Sequence, residues 1–150
     1  MLPNQPAATA NSFSSQAARL GGTALALGLF AAAMWFAWLG WDHEYYQVDG
    51  VSQGPYRAWQ VFGCGLSIAA AAVLAYLRVR SVWAIFVLAA AAVMGFAVPW
   101  ALDAASTHDS GLWLVGLLLL LVGGGIGLVV LLAVSAAAAS RRPPRLRSDP

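Results

Sequence analysis

Two short polar stretches hold most of the side chains able to bind a metal or move a proton. Asp42, His43 and Glu44 lie in the first; Asp103, His108 and Asp109 lie in the second. Imidazole and carboxylate together suit a divalent cation such as zinc. A histidine beside carboxylates also responds to pH near neutrality. The spacing matches no ligand motif, and the same residues serve equally well as solvated loop positions and helix caps. Extracytoplasmic metal or pH sensing is therefore the most remote of the functions considered, and no metal is assigned.

Chemistry is thinner still elsewhere. Cys64 is the one cysteine, so neither an intrachain disulfide nor a CxxC pair can form. It is expected as a small buried apolar residue. All eight basic residues are arginine, so a phosphate loop with its lysine is lacking. Neither a nucleophile with an adjacent base nor a pair of haem ligands facing each other can be assembled. The expectation is a non-enzymatic protein without a cofactor and without a nucleic-acid partner.

The elements that would position these residues follow from composition. Of the 150 residues, 61% are hydrophobic and 9% charged. Soluble domains carry roughly 45–50% apolar and about 25% charged residues. Such a chain cannot cover itself with a polar exterior, and disorder is excluded because disordered chains are poor in apolar residues. Four runs, 20–41, 58–77, 81–102 and 111–135, contain no Asp, Glu, Lys, Arg or His. At 1.5 Å per residue each crosses a hydrocarbon layer of roughly 30 Å. Lipid offers backbone groups no partners, so the runs are expected as helices. The first finishes in Trp35, Trp38 and Trp41 rather than in a small-residue cleavage site, which marks a retained helix and not a signal peptide.

The predicted fold is all-α: a four-helix transmembrane bundle over 20–140, after a flexible cytoplasmic segment 1–19 and before a basic cytoplasmic tail 141–150. Four spans put both termini on one side, and that side receives Arg19, Arg78, Arg80, Arg141, Arg142, Arg145 and Arg147 against Asp149 alone. The other side receives Arg57 against five carboxylates. The positive-inside rule then sets both termini in the cytoplasm. Trp35, Trp38, Trp41, Trp59, Trp100 and Trp113 gather at the outer ends, with Tyr76 and Trp83 at the inner ends, as interfacial belts.

Arg78-Val79-Arg80 is read as a tight antiparallel turn, with Ser81 placed to cap the third span. Asp49-Gly50 between Val48 and Val51 is a two-residue turn signal, predicting a short outer β-hairpin between spans one and two. Pro55 suits the first turn of span two, and Asp109 or Ser110 can cap span four. Pro99 should kink span three. Small residues at four-residue spacing, Ala24 and Gly28 in span one, Gly63 in span two, Gly123 and Gly127 in span four, are expected to let helix backbones approach closely.

Gly40-Trp41-Asp42, the stretch Gly54-Pro55-Tyr56-Arg57-Ala58-Trp59-Gln60-Val61, and Val98-Pro99-Trp100-Ala101 together resemble small four-span integral membrane proteins of actinobacteria. The resemblance implies a bacterial plasma membrane and carries no functional residue with it. Proton-coupled pumps need ionisable groups at membrane depth, and the spans have none. The favoured reading is a scaffold or small subunit of a membrane complex. Its partners are the lipid bilayer and either a homo-oligomer or another membrane protein. The alternative is a small oligomeric transporter or channel for a neutral solute.

Overall fold

The computed structural model describes residues 6–41, 46–48, 51–53, 56–107 and 111–141. Four long apolar helical stretches organise them. α1 runs Pro6–Trp38, α2 Ala58–Val79 and α3 Val82–Thr107. The fourth stretch, Trp113–Ser140, comprises α4 (Trp113–Leu119), a π-helical turn over Leu120–Gly124 and α5 (Gly125–Ser140). All four are long and apolar enough to cross a membrane.

Each helix shows how sequence chooses its inner face. α1 buries Ala24, Leu27, Ala31 and Trp35, a three-and-four spacing that keeps one stripe pointed inward, and Leu39 just past its end continues it. α2 buries Gln60, Cys64, Ile68, Ala72 and Tyr76, every fourth residue. A strict four-residue step winds round a helix of 3.6 residues per turn, so α2 meets its neighbours along a slanting ridge. α3 is the most covered of the four, with Ala84, Leu88 and Ala92 fully buried, and its closest packing is with α1. The fourth stretch is the least covered; Leu132 is its one buried residue.

Several boundaries differ from expectation. α1 starts at Pro6, so 6–19 continues the helix instead of leading into it. Proline fits a first helical turn, and the Ala, Ser and Gln that follow are carried by the long helix they join. α3 passes through Pro99 and past Leu102 to Thr107, and α5 extends past Ser135 through an alanine run to Ser140. Span four starts at Trp113 after Gly111 at φ +70°, with Leu112 as an N-cap that offers no side-chain hydrogen bond. Asp109 and Ser110, expected as caps, lie outside the described residues, as does Pro55.

The α2–α3 connection is tight, as the arginine-rich turn suggested. Arg80 adopts the left-handed conformation (φ 48°, ψ 50°) and its N–H bonds the Tyr76 carbonyl at 2.8 Å. Its Nε donates to the Leu77 carbonyl at 3.1 Å, so this one arginine occupies two of the last helical acceptors. Ser81 precedes α3 and its carbonyl accepts the Ala84 N–H at 3.0 Å. Between α1 and α2, the backbones of β1 (Tyr46–Val48) and β2 (Val51–Gln53) pair antiparallel, Val48 opposite Val51. The Asp49-Gly50 turn itself lies outside the described residues.

Candidate functional site

The bundle's tightest point is a crossing of small residues. A Cβ on Gly95 of α3 would clash with the Gly28 carbonyl oxygen and lie 2.8 Å from the Gly28 Cα. A Cβ on Gly28 would come within 3.2 Å of the Ala91 carbonyl oxygen. Gly28, expected from sequence as a packing residue, forms this crossing with Gly95 and Ala91, which the many alanines of α3 conceal; Ala24 is buried on the same helix. Gly63, expected to admit a neighbouring backbone, lies under a ring instead: a Cβ there would come 2.5 Å from the Trp38 indole. Gly123 and Gly127 pack against none of the described residues. Nothing lies within 4 Å of a Cβ at either, and the inward glycine of that run is Gly124, facing Val93 at 3.7 Å. The run's four-residue spacing marks a face without saying which way it turns.

Aromatic placement is mixed. Trp38 meets Trp59 edge to face at 6.0 Å between centroids, and Trp100 covers Gly116, an aromatic layer at one end of the bundle. Trp83 is exposed at the other end. Trp35 and Tyr76, assigned to the belts, belong to the buried core instead, because the inward stripes of α1 and α2 pass through them. The Trp35 Nε1 has no hydrogen-bond partner among the described residues.

Polar groups inside the spans are mostly turned onto their own helices. The hydroxyl of Thr23 donates to the Arg19 carbonyl (2.8 Å), that of Ser67 to Gly63 (2.7 Å) and that of Ser135 to Leu131 (2.8 Å). Gln60 is the one fully buried polar side chain among the described residues; its Oε1 accepts the Arg57 N–H at 2.7 Å and so closes the first turn of α2. A Gln three residues after the N-cap is a recognisable capping signal that the sequence reading passed over. Cys64 is buried as expected.

Of the metal-site candidates, Asp42, His43, Glu44, His108 and Asp109 lie outside the described residues. Asp103 is described, within α3, with its carbonyl accepting the Ser106 hydroxyl at 2.7 Å. No cluster of metal-ligating side chains occurs among the described residues.

Two of the concavities bear on a site. One is an apolar cleft of about 240 Å³ where the π-helical turn meets α2 and α3, lined by Cys64, Ile68, Ala92, Phe96, Leu120 and Gly124 among others. A π turn is wider than an α turn, and its last residue, Gly124, puts no side chain into the gap. The other, about 510 Å³, is a groove open to the surface, lined by Ser15, Gln16, Arg19 and Thr23 of α1 with Arg78 and Val79 of α2, and both of its arginines are exposed. The α1 residues recur along one helical face, and the last turn of α2 forms the opposite wall. The topology arginines Arg19 and Arg78 are thereby brought to one cavity, and Arg80 caps α2 beside it. Arg141 follows the end of α5, while Arg142, Arg145 and Arg147 lie outside the described residues.

No family model matches the chain, and no curated protein or solved structure matches it either.

Proposed function

We propose that the chain is a non-enzymatic multi-pass component of a bacterial plasma membrane, a scaffold or small subunit of a membrane complex. Both termini are cytoplasmic in this reading, and a β-hairpin turning at Asp49-Gly50 joins β1 to β2 on the outer side. The observation that carries the reading is the condition of span four. It rests on its neighbours along a narrow strip and leaves Gly123, Ile126, Gly127, Val130 and Val134 uncovered. Between helices in lipid, close packing of small residues drives association, and this face suits a helix of a second copy or of another membrane protein.

The hydroxyls of Thr23, Ser67 and Ser135 support this reading over a transporter. Each is committed to a carbonyl of its own helix rather than to a shared polar path. The test is site-specific photocrosslinking in native membranes. A photoreactive residue replacing Ile126 is expected to give an adduct of defined mass. The same residue replacing Phe62, which is exposed on α2, is expected to give none. Equal yields at both positions, or none at Ile126, would count against a partner on span four.

A further inference from the structure

The polar cavity between α1 and α2 combines features that a purely structural role does not require. Two guanidinium groups from separate helices, Arg19 and Arg78, line one space with the side chains of Ser15, Gln16 and Thr23. Like charges on facing elements repel, and the usual remedy is a carboxylate nearby. Asp103 is the one carboxylate among residues whose side chains are described, and α3 carries it at the opposite end of its span. Neither guanidinium has an ion-pair or hydrogen-bond partner among the described residues, since the Thr23 hydroxyl engages only the Arg19 backbone.

The cavity's position adds to this. It sits where α2 ends and α1 continues, so α1 forms a wall beyond the last turn of its neighbour. The stretch from Pro6 to Ser15 adds about 14 Å of helix at 1.5 Å per residue. In a bilayer this step falls where acyl chains give way to headgroups. The C-terminus of α2 contributes roughly half a negative charge, which opposes an anion. Arg80 meets that charge directly, bonding the Leu77 carbonyl and leaving Arg19 and Arg78 to face the cavity.

We infer that the Arg19–Arg78 cavity binds a phosphate group, presented either by an anionic phospholipid headgroup or by free phosphate. Two forked guanidinium groups match the oxygens of a phosphate, and the Gln16 amide in the same lining is a further donor. The volume of about 510 Å³ admits a headgroup as well as the bare anion. Basic pockets between helices at a membrane face are where anionic headgroups lodge. The inference rests on the spans lying in a bilayer, a condition met or failed when the chain is reconstituted, before any ligand is compared.

The test uses the full-length chain in phosphatidylcholine nanodiscs, with a minor fraction of phosphatidylglycerol in one arm and added inorganic phosphate in the other. The first arm measures lipid retained on transfer to detergent; the second measures the thermal midpoint. Wild type is expected to retain phosphatidylglycerol over phosphatidylcholine, and Arg19→Gln/Arg78→Gln to lose that preference by about tenfold. Ser15→Trp fills the cavity while keeping both charges, and should lose it as well. Arg141→Gln also removes positive charge but lies outside the cavity, and should retain it. A thermal shift with inorganic phosphate alone, absent in the double variant, would assign the group to a soluble anion. Equal loss in Arg141→Gln and the double variant, or no response of wild type in either arm, overturns the inference. Circular dichroism confirms that each variant keeps its helices, so a lost response reads on the site.

Discussion

Gly28 and Gly95 meet backbone to backbone, with the Gly28 carbonyl oxygen occupying the place where a Gly95 side chain would begin. This contact joins α1 to α3, the most closely packed pair of helices in the bundle. The obstructing atoms are main chain and cannot rotate away. Gly95→Ala is expected to lower stability by about 1–3 kcal/mol, the usual range for overpacking. Gly123→Ala, on an open face, should be neutral or slightly stabilising because alanine favours helix. Thermal unfolding in detergent, followed by circular dichroism, separates the two.

Gly63 and Trp38 form a second close pair, here backbone against ring. Gly63→Ala must displace the indole, which also loses its edge-to-face contact with Trp59. A loss of about 1 kcal/mol is expected, with Trp38→Leu relieving most of it. A double-mutant cycle measures the coupling. Additive effects would mean that the ring does not rest on Gly63.

Arg80 holds a left-handed conformation that favours glycine, yet its side chain and N–H both serve the end of α2. Arg80→Ala keeps the backbone strain and removes the Nε bond, and should cost about 1 kcal/mol. Arg80→Gly also loses that bond but relieves the strain, and should come out close to wild type. Unfolding midpoints in the same detergent compare the pair.

How far the fold could be read in advance depended on whether the signal was local. The four apolar runs stood out because lipid demands unbroken stretches free of charge, and each coincides with a helix. The ends did not, since Ala, Ser and Gln in 6–19 permit a helix without requiring one. Gly28 was recognisable by its spacing from Ala24, whereas Gly95 was lost within an alanine-rich helix where every face carries small residues. Trp35 and Tyr76 were read by residue type alone, although their spacing from Ala31 and Ala72 placed them on the inward stripes. The π-helical turn ends in the first two glycines of the run, Gly123 and Gly124, but such a run signals weak helix rather than a particular distortion. The arginine cavity was hidden because Arg19 and Arg78 are distant in sequence and meet only once α1 lies against α2.

The orientation of the spans in the membrane is tested most directly by cysteine accessibility in intact cells. In a Cys64→Ala background, Ser52→Cys reports the segment between α1 and α2, and Ser148→Cys reports the arginine-bearing end. A membrane-impermeant maleimide should label Ser52→Cys in intact cells and should reach Ser148→Cys only after the cells are broken. Labelling of Ser148→Cys from outside, or failure to label Ser52→Cys until lysis, would contradict the four-span arrangement with its arginines on the cytoplasmic side.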